Sequence, residues 1–187
     1  VIFTVSEALL KQGENVDQYL GEQGAGALEK GLDAAFIGNA SHPAPVGILG
    51  TNGINTQSGS SLNLSGLLAA QRLVVAAGAN DSAVRILTTA SVRESLSQRE
   101  TISTSGRMVW ERGAAAGIPG VVSINCPAST AIVGDFGQIV ICTFGPIEIA
   151  IDKSAGFATG QISFRLMQLV DVAVLTAGAF CKVSSIS

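Results

Sequence analysis

The sequence predicts an α+β fold in which long antiparallel strands lie against one long helix, and three observations carry that prediction. From Gln161 to Val174 the even-numbered positions read Ile162, Phe164, Leu166, Gln168, Val170, Val172 and Val174, while the odd face carries Gln161, Ser163, Arg165 and Asp171. A period of two marks a strand with one buried face. A strand of this length reaches roughly 45 Å at about 3.3 Å per residue, and it needs an equally long partner. The second observation is a helical run ending near Ile37, with Val16, Leu20, Ala27, Leu28, Leu32, Ala35 and Phe36 near one face. The third is the run VGDFGQIVI (Val133 to Ile141) leading into IEIAID (Ile147 to Asp152) ahead of that alternating segment.

Taken in order, VIFTV at the start reads as a strand, and Ser6 as the N-cap of a short helix ending near Gly13. Asn15 then caps the helix running to about Ile37. Gly21, Gly24, Gly26 and Gly31 lie inside it. Each costs about 1 kcal/mol against Ala, so this helix depends on its neighbours. Asn39 to Gly59 reads as a Gly-, Pro-, Asn- and Ser-rich loop, with Pro43 and Pro45 holding its entry extended. Asn63 to Ala79 is predicted helix, Ala83 to Leu87 a buried strand, and Thr89 to Glu100 a helix capped by Thr89 or Ser91. Trp110 to Ser123 is a turn into a strand. The remainder is strands, interrupted by a glycine-bearing turn at Phe144, Gly145 and Pro146 and a helix or turn around Ser154 to Thr159.

Composition favours a protein surface over a reaction site. The 187 residues suffice for a sizeable core. Charged residues make up 13% and hydrophobic ones 47%; the charged share is about half the usual one. Such a chain has apolar area to place against other subunits, because monomers rarely expose large contiguous patches. A net charge of −3 provides no basic footprint for nucleic acid. The most apolar stretch, Leu67 to Ala79, is broken by Gln71 and Arg72 and is too short to span a bilayer. Cys126, Cys142 and Cys181 are odd in number and widely spaced among apolar neighbours, which reads as buried free thiols rather than a disulfide framework or metal site.

Motifs for chemistry are almost lacking. There is no G-x-S-x-G elbow, no phosphate loop and no C-x-x-C pair. Asp33, Asp135, Asp152 and Asp171 are scattered, and the N-x-S matches at Asn39, Asn63 and Asn80 are a frequent chance pattern. His42, the one histidine, stands between Ser41 and Pro43, so a serine hydrolase using Ser41 and His42 is the enzyme alternative. The bland reading is a solvent-exposed loop histidine. No catalytic, cofactor or metal residue is predicted, and no cofactor.

The order of motifs resembles a known family. VSEALLKQG (Val5 to Gly13), a helix ending LDAAFIGN (Leu32 to Asn39) and APVGILGTNGIN (Ala44 to Asn55) come first. VGDF (Val133 to Phe136), the IEI strand, a bend ending in Phe157, the long strand and a terminal AGAF follow. This succession looks like the tailed-phage major capsid proteins of the Hong Kong 97-type fold, over nearly the whole chain. The resemblance implies a spine helix, an axial domain and long peripheral-domain strands. Residues 1–39 and 146–187 would form the peripheral domain and 40–145 the axial one. It implies a structural head protein of a phage or prophage, not an enzyme, that self-assembles through hexamers and pentamers into an icosahedral shell. Portal, scaffold or protease proteins would be its partners, with packaged DNA enclosed but not specifically bound, and no membrane. The place of work would be the virion capsid, and the host bacterial cytoplasm during assembly. An encapsulin-like compartment shell is the alternative.

Candidate subunit contacts implied by the resemblance are Gly47, Ile48 and Leu49 in the loop, Asp135 and Phe136 in VGDF, and Arg165 and Asp171 on the long strand. Each has a plainer reading: a loop anchored by two apolar side chains, a turn cap at Asp135, and solvated charges at Arg165 and Asp171. The family's amino-terminal arm and extended loop find no counterpart in this sequence, so the expectation is a monomer or small oligomer in dilute solution. Lys-to-Asn crosslinking lacks support, because the position before Phe157 is Gly156. The family's spine helix bends as the shell expands, and the four glycines would make that bending easy; Gly24→Ala with Gly26→Ala is expected to slow it.

Overall fold

A computed structural model of the protein describes residues 1–12, 16–38, 40, 44–102 and 106–187. The expected cap at Asn15, the helix end at Gly13, and Asn39, Ser41, His42 and Pro43 lie outside the described residues. The chain divides into two units, one of residues 1–33 and 141–171, the other of residues 34–140 and 172–187.

In the first unit a three-stranded sheet has the order β1 (Ile2–Ser6), β9 (Gln161–Val174), β8 (Ile139–Gly156). The alternation read in the sequence is what the sheet uses. Ile162, Leu166 and Val172 are buried on β9, and Gln161, Arg165, Met167, Leu169 and Asp171 are exposed. β1 runs antiparallel to β9 with Phe3 opposite Phe164 and Val5 opposite Ile162. The two rings stack with centroids 5.5 Å apart. β8 joins β9 through a single turn at Phe157–Thr159, which leaves only an antiparallel hairpin. Ser6 is the last residue of β1 and directly precedes α1 (Glu7–Gln12). Phe144, Gly145 and Pro146 do not separate two strands: β8 runs through them, with Gly145 at φ +76 producing a local kink that its missing side chain permits.

The long helix α2 (Val16–Ile37) packs its half-buried side on this sheet. The approach is close at Gly24, where a Cβ would stand 2.6 Å from Leu166 Cδ2 and 3.6 Å from Phe3 Cε1. Gly21, Gly26 and Gly31 face open space. One of the four interior glycines is thus a packing requirement.

The second unit is built on a seven-stranded mixed sheet. Its order is β2 (Asn55–Ser58), β10 (Phe180–Ser184), β7 (Ala131–Asp135), β3 (Val84–Thr88), β6 (Ile118–Val122), β5 (Ala114–Ala115), β4 (Trp110–Glu111). Every residue of the central β7 is buried. Over the sheet lies α3 (Leu64–Ala76), which buries Leu67, Ala70 and Val74, a helical spacing of three and four. Asn63 caps it by accepting from the Gly66 N–H at 3.0 Å. α4 (Ala90–Ser97) is capped by Thr89, whose Oγ1 accepts from the Val92 N–H at 3.3 Å.

Three expectations are corrected here. The loop from Asn39 to Gly59 contains a 3-10 turn at Ile48–Gly50 and the strand β2, because Ile48 is drawn into the core and β2 finds a parallel partner in β10. The block 146–187 is split: residues 172–187 fold with the larger unit, since β10 pairs with β7 and buries Phe180, Cys181 and Val183 there. Of the three thiols expected to be buried, Cys142 is exposed, because it lies on the uncovered β8.

Candidate subunit interface

The uncovered surface of the first unit begins with β8, an edge strand whose length exceeds what α2 covers. From Val140 to Ser154 its residues are all exposed. Among them are Phe144, Ile147, Ile149 and Ile151, with Ile149 64% and Ile151 57% accessible. Ile149 lines a shallow groove with Leu20, Gly21, Phe164 and Leu166, at the margin of the helix-covered face. At the hairpin tip Phe157 is 88% exposed. Exposed large apolar side chains in this density mark an interaction surface. An unpaired strand edge adds a row of backbone donors and acceptors able to join another chain.

The opposite face of the sheet is mixed. Arg165 projects from β9 opposite Ile2 of β1, with Met167, Leu169 and Asp171 following along the strand.

The other expected contact residues turn inward. Gly47 is buried where the chain presses on the end of α2, and the Ala35 carbonyl stands where its Cβ would be; a Cβ there would also lie 2.7 Å from the Gly38 N and O. Ile48 is fully buried in the core and Leu49 packs against it. Asp135 is buried, and its Oδ1 accepts from the Gly137 N–H at 3.0 Å, closing the turn between β7 and β8. Phe136 is half-buried between Phe36, at a ring distance of 6.1 Å, and Phe180, at 5.7 Å. These five residues are engaged within the chain, leaving Arg165 and Asp171 as the members of the set on an exposed face.

Sequence reasoning passed over the β8 isoleucines and Phe157. IEIAID displays their alternation openly, but the alternation alone states that one face is apolar, not that the helix stops short of it.

The two buried thiols are chemically quiet. Burial pushes Cys126 and Cys181 from the ordinary value of 9.0 up to about 11. Among the described residues no group of three or more His, Cys, Asp or Glu side chains is arranged to hold a metal. No described helix is long and apolar enough to cross a membrane.

The phage capsid family matches residues 1–185. The chain belongs to the phage capsid family. The structure of this capsid protein is similar to solved shells. The capsid of a native GTA particle aligns with a TM-score of 0.76 at 18% identity, covering 100% of this chain and 71% of that one. Gordonia phage Cozz aligns at 0.70 and 19%, covering 98% and 68%. A virus-like particle from Pyrococcus furiosus aligns at 0.70 and 16%, covering 98% and 75%. No curated protein matches at the level of sequence. The fold is the Hong Kong 97 type, and the capsid protein's role is structural.

Proposed function

We propose that this capsid protein is the major head subunit of a tailed phage or prophage, and that copies of it close into an icosahedral shell around DNA. The family match across residues 1–185 carries the reading. The unit of residues 1–33 and 141–171 supplies the peripheral domain, and the unit of residues 34–140 and 172–187 the axial domain. Copies meet through the apolar β8 edge and through the β9 face that bears Arg165 and Asp171. The repeated subunit of a shell needs such a surface, and a lone domain would keep it covered. The work is association rather than catalysis. Portal and scaffold or protease proteins serve assembly, and the shell encloses DNA without reading it, in keeping with the net charge of −3.

Electron microscopy of the protein expressed in its native gene context tests this. Closed particles are expected, and Ile149→Asp with Ile151→Asp should abolish them while leaving a folded subunit. Particles unaffected by both substitutions would remove β8 from the interface. A second reading, an encapsulin-like shell around protein cargo, is favoured by one observation, the similarity to the Pyrococcus furiosus virus-like particle. Nucleic acid inside purified particles supports the first reading; a single enclosed protein species supports the second.

A further inference from the structure

We propose that Asn52–Gly53 is a self-modifying site, at which the protein converts its own asparagine through a cyclic imide to aspartate and isoaspartate. It is the chain's one Asn-Gly pair. Both residues are exposed, in the turn between the 3-10 segment at Ile48–Gly50 and β2. The reaction needs a free nucleophile and a free electrophile. Among the described residues neither the Gly53 N–H nor the Asn52 side-chain amide has a hydrogen-bond partner. Gly53 sits at φ +89, and as a glycine it has no side chain of its own to crowd its nitrogen.

The steps balance without any cofactor. Solvent hydroxide removes the Gly53 N–H proton, the nitrogen attacks Asn52 Cγ, and ammonia departs carrying the side-chain nitrogen. Water then opens the five-membered imide. Opening at one carbonyl yields aspartate, and opening at the other yields isoaspartate with the backbone routed through the side chain. Either product adds a negative charge to a subunit whose net charge is −3. Isoaspartate also lengthens the main chain just ahead of Asn55, which pairs with Cys181 at the start of β2.

Among the described residues the other asparagines differ. Asn63 Oδ1 accepts from the Gly66 N–H, Asn80 Oδ1 from the Ser82 N–H and hydroxyl, and the Asn55 amide donates to the Gly178 carbonyl at 2.8 Å. Asn125 precedes Cys126, whose side chain shields the following nitrogen. Among the described asparagines the fold therefore selects Asn52.

Peptide mapping by mass spectrometry of the native protein, incubated at mildly alkaline pH, tests the site. Expected is an amide-to-acid mass change at Asn52, resolved into two isomeric peptides and appearing at least an order of magnitude faster than at Asn55, Asn63, Asn80 or Asn125. Gly53→Ala should slow it, though that variant strains the positive φ; Asn52→Gln retains the turn and should abolish it. Enzymatic methylation of isoaspartate should label the aged wild type and not Asn52→Gln. Conversion at Asn52 no faster than at Asn80 or Asn125, or conversion confined to unfolded protein, would overturn the proposal.

Discussion

Gly24 and Gly26 of α2 look equivalent in the sequence, two glycines in a helix interior, and the structure assigns them opposite responses to alanine. At Gly26 a Cβ meets nothing within 4 Å. The substitution should therefore yield the helix-propensity difference, about 1 kcal/mol of added stability. At Gly24 the same propensity gain is opposed by a Cβ lying 2.6 Å from Leu166 Cδ2, a side chain that is itself buried and cannot swing into solvent. Overpacking of that kind costs about 1–3 kcal/mol, so Gly24→Ala should fall between neutral and about 2 kcal/mol destabilised once the roughly 1 kcal/mol gain is set against it. Urea unfolding followed by far-UV circular dichroism would read the two as midpoint shifts of opposite sign at unchanged slope. Leu166→Val should cost less in the Gly24→Ala background than alone, because it withdraws the colliding methyl, with a coupling of about 0.5–3 kcal/mol. Equal stabilisation by both alanines, or no coupling to Leu166, would refute the packing argument. The idea that glycines ease bending of this helix then rests on Gly21, Gly26 and Gly31. Gly26→Ala with Gly31→Ala is the appropriate stiffening pair.

Other outcomes follow from exposure and hydrogen bonding. A thiol reagent should modify Cys142 in the folded protein at once and reach Cys126 and Cys181 only on unfolding, counted by mass. Because burial raises the thiols of Cys126 and Cys181 to about 11, the folded chain holds protons that the unfolded chain releases. Their contribution should be complete below pH 9.0 and lost as pH climbs toward 11, measured as a falling urea midpoint. Asp135→Ala should cost about 1–2 kcal/mol through loss of the Gly137 cap in a buried turn, readable in the same unfolding assay. Ile149→Asp should leave subunit stability within about 0.5 kcal/mol, as at an exposed position, while particle yield by light scattering collapses.

Local order was legible wherever one chain segment carries its own evidence. The alternation from Gln161 to Val174 announced β9 and its buried face, because a strand's side chains alternate whatever lies opposite. The Thr89 cap and the half-buried face of α2 could be read the same way. Partnership could not. Nothing within NTQS of β2 states that β10 will take it as a parallel neighbour, and nothing within FCKVS of β10 assigns it to the larger unit. The β2–β10 pairing joins residues more than a hundred positions apart, and β10 meets β7 across some fifty. The same limit applied to the interface. Ile48 and Phe136 read as candidates for the outside and were captured by the core, whereas Ile147, Ile149 and Ile151 carry an equally apolar pattern and remain outside. Sequence determined which faces are apolar, because that is a property of side chains in order. Tertiary structure decided which of those faces were covered, because burial depends on how far α2 extends over the sheet, and α2 leaves β8 bare.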